Sequence, residues 1–239
     1  MNDTLMVIGE ALIDFIPTEQ GMALKDVCSF TKHCGGAPIN IAAATAKLGA
    51  HSKVLTQVGA DAFGDFILET LSLCQVDITA VKRTKQYPTA LAFVALDEKG
   101  NRDFTFYRDP CADLHLSAED ITATMFQDCG ILHFCSVDLV DSPMKQAHLK
   151  AIQLAKEQGA IISFDPNVRL PLWSSKEDCK NTILEFAPYA DILKISDDEL
   201  FFLTGQKDCE QVFTVFPDAT IILLTCGEQG SYLMTKEHR

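Results

Sequence analysis

The sequence lacks clustered positive charge and long apolar runs. Its 239 residues contain 20 lysines and arginines against 33 aspartates and glutamates, a formal net charge of −13. Because such a charge repels polyanions, we expect no nucleic-acid partner. No stretch of eighteen apolar residues occurs, and residues 1–9 run into an apolar strand pattern without a charged leader. We therefore expect no membrane span and no signal peptide.

Metal-binding and several catalytic motifs are also missing. The nine cysteines are an odd number without C-x-x-C spacing, and the six histidines show no metal-ligand spacing, so we expect no structural zinc. Several cysteines lie in apolar runs, where a reduced thiol acts as a small hydrophobic group, which favours a cytoplasmic location. The sequence has no G-x-x-x-x-G-K-[ST], no G-x-G-x-x-G after its first strand and no G-x-S-x-G.

The stretch CGGAPINIAAATAKLG, residues 34–49, is the one around which the chain is organised. Pro38 suits a first helical turn and Gly49 the position just after a helix end, so the pattern predicts a helix of about three turns. The apolar stripe expected to face a sheet is Ile41, Ala42, Ala44, Thr45 and Leu48.

The start of this helix is a candidate binding site. Gly35 and Gly36 have no Cβ to keep a ligand away, and a helix N-terminus offers free N–H groups to hydroxyl or anionic oxygens. Asn40 adds a side chain that both donates and accepts. These features suit a polyol, although a tight turn before a well-capped helix explains the same residues.

A small sheet apart from the main one is predicted by four short alternating segments. These are residues 12–15, 27–34, 87–96 and 102–108, the last two joined by the turn DEKGN. Asp14 lies among apolar neighbours, where a carboxylate buried without a partner costs several kcal/mol. It should therefore bind a protein donor or a ligand hydroxyl. A small sheet carrying Asp14 beside a glycine turn is typical of a lid.

The rest of the chain has the rhythm of an α/β fold. The predicted strands are residues 5–8, 53–58, 130–135, 160–164, 192–195 and 220–225, and the predicted helices are 63–74, capped by Asp61, 117–127, 142–158, 176–186 and 198–203. This alternation implies a parallel sheet covered on both faces, except beside residues 220–234, where no helix pattern follows. Ligands of such sheets bind beyond the carboxyl ends of the strands, which selects Asp165, Asn167 and Arg169, with residues 194–199 and 225–230.

Six stretches in this order resemble the ribokinase-type (PfkB) sugar kinases, closest to their fructokinase branch. They are GEALIDFIP, GGAPINIAAATAKLG with VGADAFG, FTFYRDPCADLHL, FDPNVRLPLW, DILKISDDELFFLTG and LLTCGEQGSY. The resemblance covers essentially the whole chain. It implies one ribokinase-like domain over residues 1–239, a three-layer α/β/α sandwich with a β-sheet lid whose strands lie within residues 10–36 and 87–110. The implied reaction is ATP-dependent phosphorylation of a sugar hydroxyl, with fructose as the leading substrate.

The resemblance also implies roles for individual residues. On the sugar side of the site, the hydroxyls would be held by Asp14, Gly35, Gly36 and Asn40. Phe104 or Phe106 would cover the sugar ring, and the pocket edge would be lined by Arg108 and Arg169. The nucleotide side would comprise Thr225, Gly227 and Gly230, with Lys194 as a weaker candidate. Glu199, the last residue of the family's N-x-x-E element, would act indirectly on Mg²⁺; serine replaces the asparagine at Ser196. Arg169 has an alternative role, pairing with a surface carboxylate.

The implied assembly and chemistry have open alternatives. A monovalent cation is a further candidate cofactor, and the lid is expected to form a homodimer contact, because short strands with exposed edges need a partner.

The family's catalytic aspartate lies in a G-A-G-D motif that this sequence does not contain, so we expect it beyond Arg239. Either the sequence is part of a longer kinase, or it is a truncated relative that binds sugar without chemistry. A kinase for 2-keto-3-deoxygluconate or an aminoimidazole riboside also remains open.

Overall fold

The computed structural model describes residues 3–19, 21–96, 102–206 and 212–237, without the side chains of residues 95, 96 and 102–104. The strands are β1 Thr4–Ile8, β2 Leu12–Pro17, β3 Phe30–Gly35, β4 Ser52–Gly59, β5 Val81–Thr84, β6 Ala90–Leu96, β7 Arg102–Tyr107, β8 Cys129–Cys135, β9 Ile161–Asp165, β10 Ile192–Ser196, β11 Ile221–Thr225 and β12 Ser231–Thr235. The α-helices are α1 Ala37–Lys47, α2 Ala62–Leu73, α3 Pro143–Glu157, α4 Lys176–Phe186, α5 Asp197–Thr204 and α6 Val212–Val215.

An eight-stranded sheet forms the middle layer, in the order β12-β11-β10-β9-β8-β1-β4-β5. All neighbouring pairs are parallel except β11 and β12. Successive side chains of β1 point to opposite faces, so Met6 and Ile8 join the core formed with α3, α4 and α5, and Val7 joins the core formed with α1 and α2. Helices thus cover both faces, and the predicted α/β/α sandwich is confirmed.

The sheet is less well covered at its β12 edge. Leu223 and Leu233, which lie opposite each other in the β11–β12 register, are 38% and 65% exposed. The expected uncovered face beside residues 220–234 is therefore confirmed.

A separate four-stranded sheet, in the order β3-β2-β6-β7, forms the predicted lid. β2 pairs antiparallel with β3 and parallel with β6, and β6 pairs antiparallel with β7, as predicted for a hairpin. The turn at residues 97–101 lies outside the described residues. One lid face carries an aromatic cluster, which consists of Phe15, Phe30, Phe93 and Tyr107.

The predicted helix after the glycine pair is confirmed, but its buried face is not the predicted one. α1 starts after Gly36 with Pro38 in its first turn, and the chain leaves it at Gly49 with φ +90°. The buried residues are Pro38, Ile39, Ala42 and Ala46, whereas Ile41 and Leu48 of the predicted stripe are 40% and 88% exposed. The large side chain of Ile39 packs against the sheet and sets the helix rotation, and the two possible stripes share only Ala42.

The predicted helix over residues 117–127 is wrong. Two 3₁₀ turns, Ala118–Asp120 and Ala123–Phe126, take its place, with Ile121 extended and buried between them. Residues 121, 122 and 124 are β-branched, which disfavours a helix, and Asp120 closes a capping box on Ser117 after a single turn. β5 and α6 are short elements that the sequence pattern did not predict.

Candidate active site

A cleft of about 190 Å³ lies between the lid and the main sheet. Its lining residues are Glu10, Leu12, Asp14, Gly36, Ala37, Asn40, Phe106, Val137, Asn167, Arg169 and Leu172. Five of the residues predicted for the sugar side are thus brought together: Asp14, Gly36, Asn40, Phe106 and Arg169. The side chain of Phe104 lies outside the described part of the structure.

The two glycines before α1 make room for the protein's own groups. A Cβ on Gly35 would overlap the carboxylate of Asp14, and a Cβ on Gly36 would overlap the carbonyl oxygen of Glu10. Gly36 also has φ +112°, a conformation that side chains with a Cβ rarely adopt. The glycine pair therefore lets β2 and the Glu10 backbone pack closely against the start of α1. The ligand-approach role predicted for Gly35 and Gly36 stays a prediction.

Glu10 caps the helix that carries Asn40. Its Oε1 accepts a hydrogen bond of 2.7 Å from the Ala37 N–H. This N–H is one of the helix N-terminal groups predicted to be available to a ligand. The residue is 3% exposed, and Oε2 has no hydrogen-bond partner among the described residues. Burial, followed by the nearby Asp138 carboxylate, raises the pKa of Glu10 to about 8. Sequence reasoning missed this residue, although a glutamate inside an apolar stretch was a signal.

Arg108 lies at the base of the lid and is held in a buried charge cluster. Its Nη2 donates to Oδ2 of Asp113 at 2.8 Å and to Oδ1 of Asp138, and all three side chains are buried. Burial opposes the positive charge, but the two carboxylates outweigh it and raise the pKa of Arg108. Burial also raises the pKa of Asp138, to about 7. Arg108 lines a neighbouring cleft, and its guanidinium is engaged by protein carboxylates.

A short loop after β9 carries the other side of the sugar cleft. Asn167 has φ +45°, and its N–H donates to Oδ1 of Asp165 at 3.1 Å. Arg169 donates to the Val168 carbonyl at 2.9 Å, and the Val168 N–H donates to Oε1 of Glu199 at 2.8 Å. Glu199 therefore contacts the loop that forms the sugar cleft.

The other predicted nucleotide-side residues lie at the carboxyl ends of the next strands. Lys194 of β10 forms an ion pair of 3.3 Å with Asp165, and the β10–β11 register places Ser196 opposite Thr225. Gly227 and Gly230 have φ +53° and +95°, and a Cβ at either position would meet no atom within 4 Å. The loop after β11 is thus exposed, with open space beside both glycines, and its nucleotide-lining role stays a prediction.

Neither a metal-binding cluster nor a membrane-spanning helix is found in the described residues. They contain no group of three or more His, Cys, Asp or Glu side chains arranged to hold a metal ion. Nor does any helix in the described ranges have the length and apolar character needed to cross a bilayer.

A cleft lined by carboxylate and amide groups, at the carboxyl ends of a parallel sheet and beside a separate small sheet, is typical of an α/β enzyme for a small hydroxylated substrate. The family model of the pfkB family carbohydrate kinases matches residues 2–239. The chain belongs to this family and is a carbohydrate kinase.

Individual relatives agree with this assignment. Probable fructokinase-2 of Arabidopsis thaliana is 40% identical over 232 residues, 96% of this chain and 70% of the relative. Fructokinase-2 of Solanum habrochaites is 39% identical over 236 residues, 98% of this chain and 72% of the relative. The crystal structure of fructokinase from Xylella fastidiosa superposes with a TM-score of 0.89 at 33% identity, covering 98% of this chain and 76% of that one. The crystal structure of a double mutant of the Vibrio cholerae O395 fructokinase, with fructose, ADP and potassium bound, superposes with a TM-score of 0.86 at 33% identity. The match covers 98% of this chain and 74% of that one.

Proposed function

We propose that this carbohydrate kinase transfers the terminal phosphoryl group of ATP to fructose. The observation that carries the proposal is the convergence of Asp14, Gly36, Asn40, Phe106 and Arg169 in one cleft under the lid. The similarity to fructokinases, among them one with fructose, ADP and potassium bound, supports the same substrate pair, and potassium as a cation.

The charges of the cleft favour a neutral sugar. Arg108 is neutralised by Asp113 and Asp138, so its guanidinium is engaged. Among the lining residues, Arg169 is the one cation, beside the carboxyl groups of Glu10 and Asp14. Because Glu10, with its pKa raised to about 8, is protonated near neutral pH, Asp14 and Arg169 balance each other. The cleft thus has no net positive charge to attract a carboxylated substrate such as 2-keto-3-deoxygluconate, whereas the hydroxyls of fructose can donate to Asp14.

The described residues fit separate tasks in the reaction. Asp14 and Asn40 would hold sugar hydroxyls, Phe106, or Phe104 beside it in β7, would cover the ring, and closure of the lid would exclude water. Thr225, Gly227 and Gly230 would line the nucleotide, with Lys194 at its edge. Magnesium would be held mainly by phosphates and water, with Glu199 acting on it indirectly, and would neutralise the charge that develops on the phosphates.

The proton acceptor of the reaction is a separate part of the proposal. The sequence contains no G-A-G-D segment, and we expect that aspartate beyond Arg239. Determination of the gene sequence past codon 239 tests this expectation. A 239-residue protein that phosphorylates fructose would contradict it.

The substrate is tested by coupled measurement of ADP release from the natural gene product. Fructose, 2-keto-3-deoxygluconate and an aminoimidazole riboside are compared at equal concentrations, each with and without magnesium and potassium. We expect the highest kcat/KM with fructose. A higher kcat/KM with either of the other two would reject fructose as the substrate.

The alternative is a protein that binds sugar without phosphorylating it. The residues that match the family's nucleotide loop, Thr225, Gly227 and Gly230, favour the kinase, because a sugar-binding protein has no need of a nucleotide site. Titration of ATP by calorimetry separates the two. Sugar binding with no ATP binding would support the alternative.

We also propose that the protein is a cytoplasmic homodimer joined through the lid. The lid has two edge strands, β3 and β7, and Tyr107 of its aromatic face is 64% exposed. The eight cysteines of the described residues are free, which fits a reducing compartment. Light scattering at micromolar concentration should give the dimer mass, and Tyr107→Asp should shift it toward the monomer. A monomer mass for the unmodified protein would count against the dimer.

A further inference from the structure

Both carboxylate oxygens of Glu199 are already bound by the protein's own donors. Oε2 accepts hydrogen bonds from the Ser196 N–H at 2.9 Å and from the Ser196 hydroxyl at 3.0 Å. Oε1 accepts the Val168 N–H at 2.8 Å. The first two bonds close a capping box at the start of α5, but the third joins α5 to the loop after β9.

The loop that Glu199 holds contributes two residues to the sugar cleft. Val168 lies between Asn167 and Arg169, and both of these line the cleft. Asn167 has φ +45°, a left-handed conformation that asparagine adopts more readily than most residues with a Cβ. The Val168 N–H, next along the chain, is bound by Oε1 of Glu199. This hydrogen bond therefore helps to keep the loop in place.

We propose that Glu199 is a positioning residue of the sugar site, in addition to any influence on magnesium. It fixes the loop at residues 167–169, so that Asn167 and Arg169 face the sugar. Its capping partner Ser196 lies opposite Thr225, at the start of the proposed nucleotide loop. Glu199 thereby connects the two substrate sides of the cleft through three hydrogen bonds. The inference rests on the proposed function for its ligand, but the contact itself can be tested without one.

The sharpest variant is Glu199→Asp. In this same chain, Ser117 and Asp120 form a capping box with an aspartate at the corresponding position. The shorter side chain is therefore expected to keep the α5 cap while withdrawing from Val168. Asp198→Asn is the matched control, because Asp198 is an exposed neighbour in the same helical turn.

The first measurement is calorimetric titration of fructose without magnesium or nucleotide. We expect Glu199→Asp to bind fructose about tenfold more weakly, the equivalent of about 1.4 kcal/mol, since a hydrogen bond to a charged group is worth about that much or more. Asp198→Asn should bind as the unmodified protein does. If Glu199→Asp binds fructose normally and only the magnesium requirement rises, the positioning role is wrong.

The second measurement is amide hydrogen exchange without any ligand. The Val168 amide should exchange faster in Glu199→Asp, while the Ser196 amide, held by the cap, should stay protected and show that the fold is intact. Unchanged exchange at Val168 would overturn the inference. If the unmodified protein binds no fructose, the proposed substrate fails, and the exchange result alone decides the role of Glu199.

Discussion

The N–H of Ala37 donates a hydrogen bond of 2.7 Å to Oε1 of Glu10, so a buried carboxyl group occupies the N-terminus of the helix that borders the sugar cleft. The positive end of a helix favours the ionised carboxylate, but burial and the neighbouring Asp138 oppose it. Glu10 is thus held at the cleft wall with its pKa near 8. Because its pKa lies above 7, Glu10 is protonated near neutral pH.

Glu10→Gln should flatten the pH dependence of stability. The pKa of Glu10 rises from 4.5 to about 8 on folding, so between these pH values the folded protein holds a proton that the unfolded chain lacks. The stabilising contribution is therefore complete below pH 4.5 and is lost as the pH rises through 8. Urea unfolding at pH 5, 6.5 and 8 should show a steeper loss of stability in the unmodified protein than in Glu10→Gln.

The control for this experiment is Glu69→Gln, a substitution on an exposed position of α2. The free energy of unfolding of Glu69→Gln should change with pH in parallel with that of the unmodified protein. Asp138, whose pKa is also raised, remains in all three proteins. Because it repels the Glu10 carboxylate, the difference in slope between Glu10→Gln and the unmodified protein measures Glu10 together with this interaction. Parallel profiles for Glu10→Gln and the unmodified protein would show that Glu10 is ionised throughout this range.

Arg108→Met should strongly destabilise the protein. The substitution leaves Asp113 and Asp138 buried without their cation, and breaking a buried ion pair in this way typically costs about 3–5 kcal/mol. Arg83→Met removes an ion pair with Asp65 on exposed side chains, which should cost less than about 1 kcal/mol. Urea unfolding compares the two. Similar losses would show that the Arg108 cluster contributes no more than a surface pair.

The sequence predicted those features of the fold that depend on short-range patterns. The continuous apolar strands, the two ends of α1 and the cap by Asp61 all follow from residues close together in the chain. The Arg108 cluster did not follow, because residues 10, 108, 113 and 138 meet only after the lid has packed on the main sheet. Arg108 was predicted for the pocket edge on motif alone, without its two partners.

The rotation of α1 shows the same limit at a smaller scale. Two apolar stripes are available on this alanine-rich helix, and periodicity alone does not choose between them. The choice comes from the fit of Ile39 against the sheet, which depends on where β1 and β4 lie. Asn167 and Arg169 of the cleft were nevertheless found, because the carboxyl ends of parallel strands meet at one sheet edge. Gly36 and Asn40 were found from the glycine turn, and Phe106 from the family resemblance.

Asp61→Ala should weaken both α2 and its connection to the lid. Oδ1 of Asp61 accepts the N–H groups of Phe63 and Gly64, at 3.1 and 2.8 Å, and Oδ2 accepts the Thr89 N–H just before β6, at 2.9 Å. Loss of an N-cap alone costs about 0.5–2 kcal/mol. Asp61→Asn should lose less stability, because the asparagine oxygen keeps the cap while its NH2 group cannot accept the Thr89 N–H. Thermal unfolding in which the two variants lose the same stability would contradict this account.

Asp14→Asn should weaken sugar binding without changing nucleotide binding. Asp14 lies on the cleft-facing side of β2, where it opposes His33 in the β2–β3 register, and its carboxylate packs against Gly35. An ionised carboxylate accepts hydroxyl hydrogen bonds worth about 1.5–3 kcal/mol each, roughly 10- to 150-fold in affinity, and a neutral amide of the same size does not match them. Calorimetry with fructose and, separately, with ATP measures both effects. Asp26→Asn, on an exposed turn of the chain before β3, is the control and should change neither. If Asp14→Asn binds fructose with unchanged affinity, the carboxylate serves the packing of the lid and not the sugar.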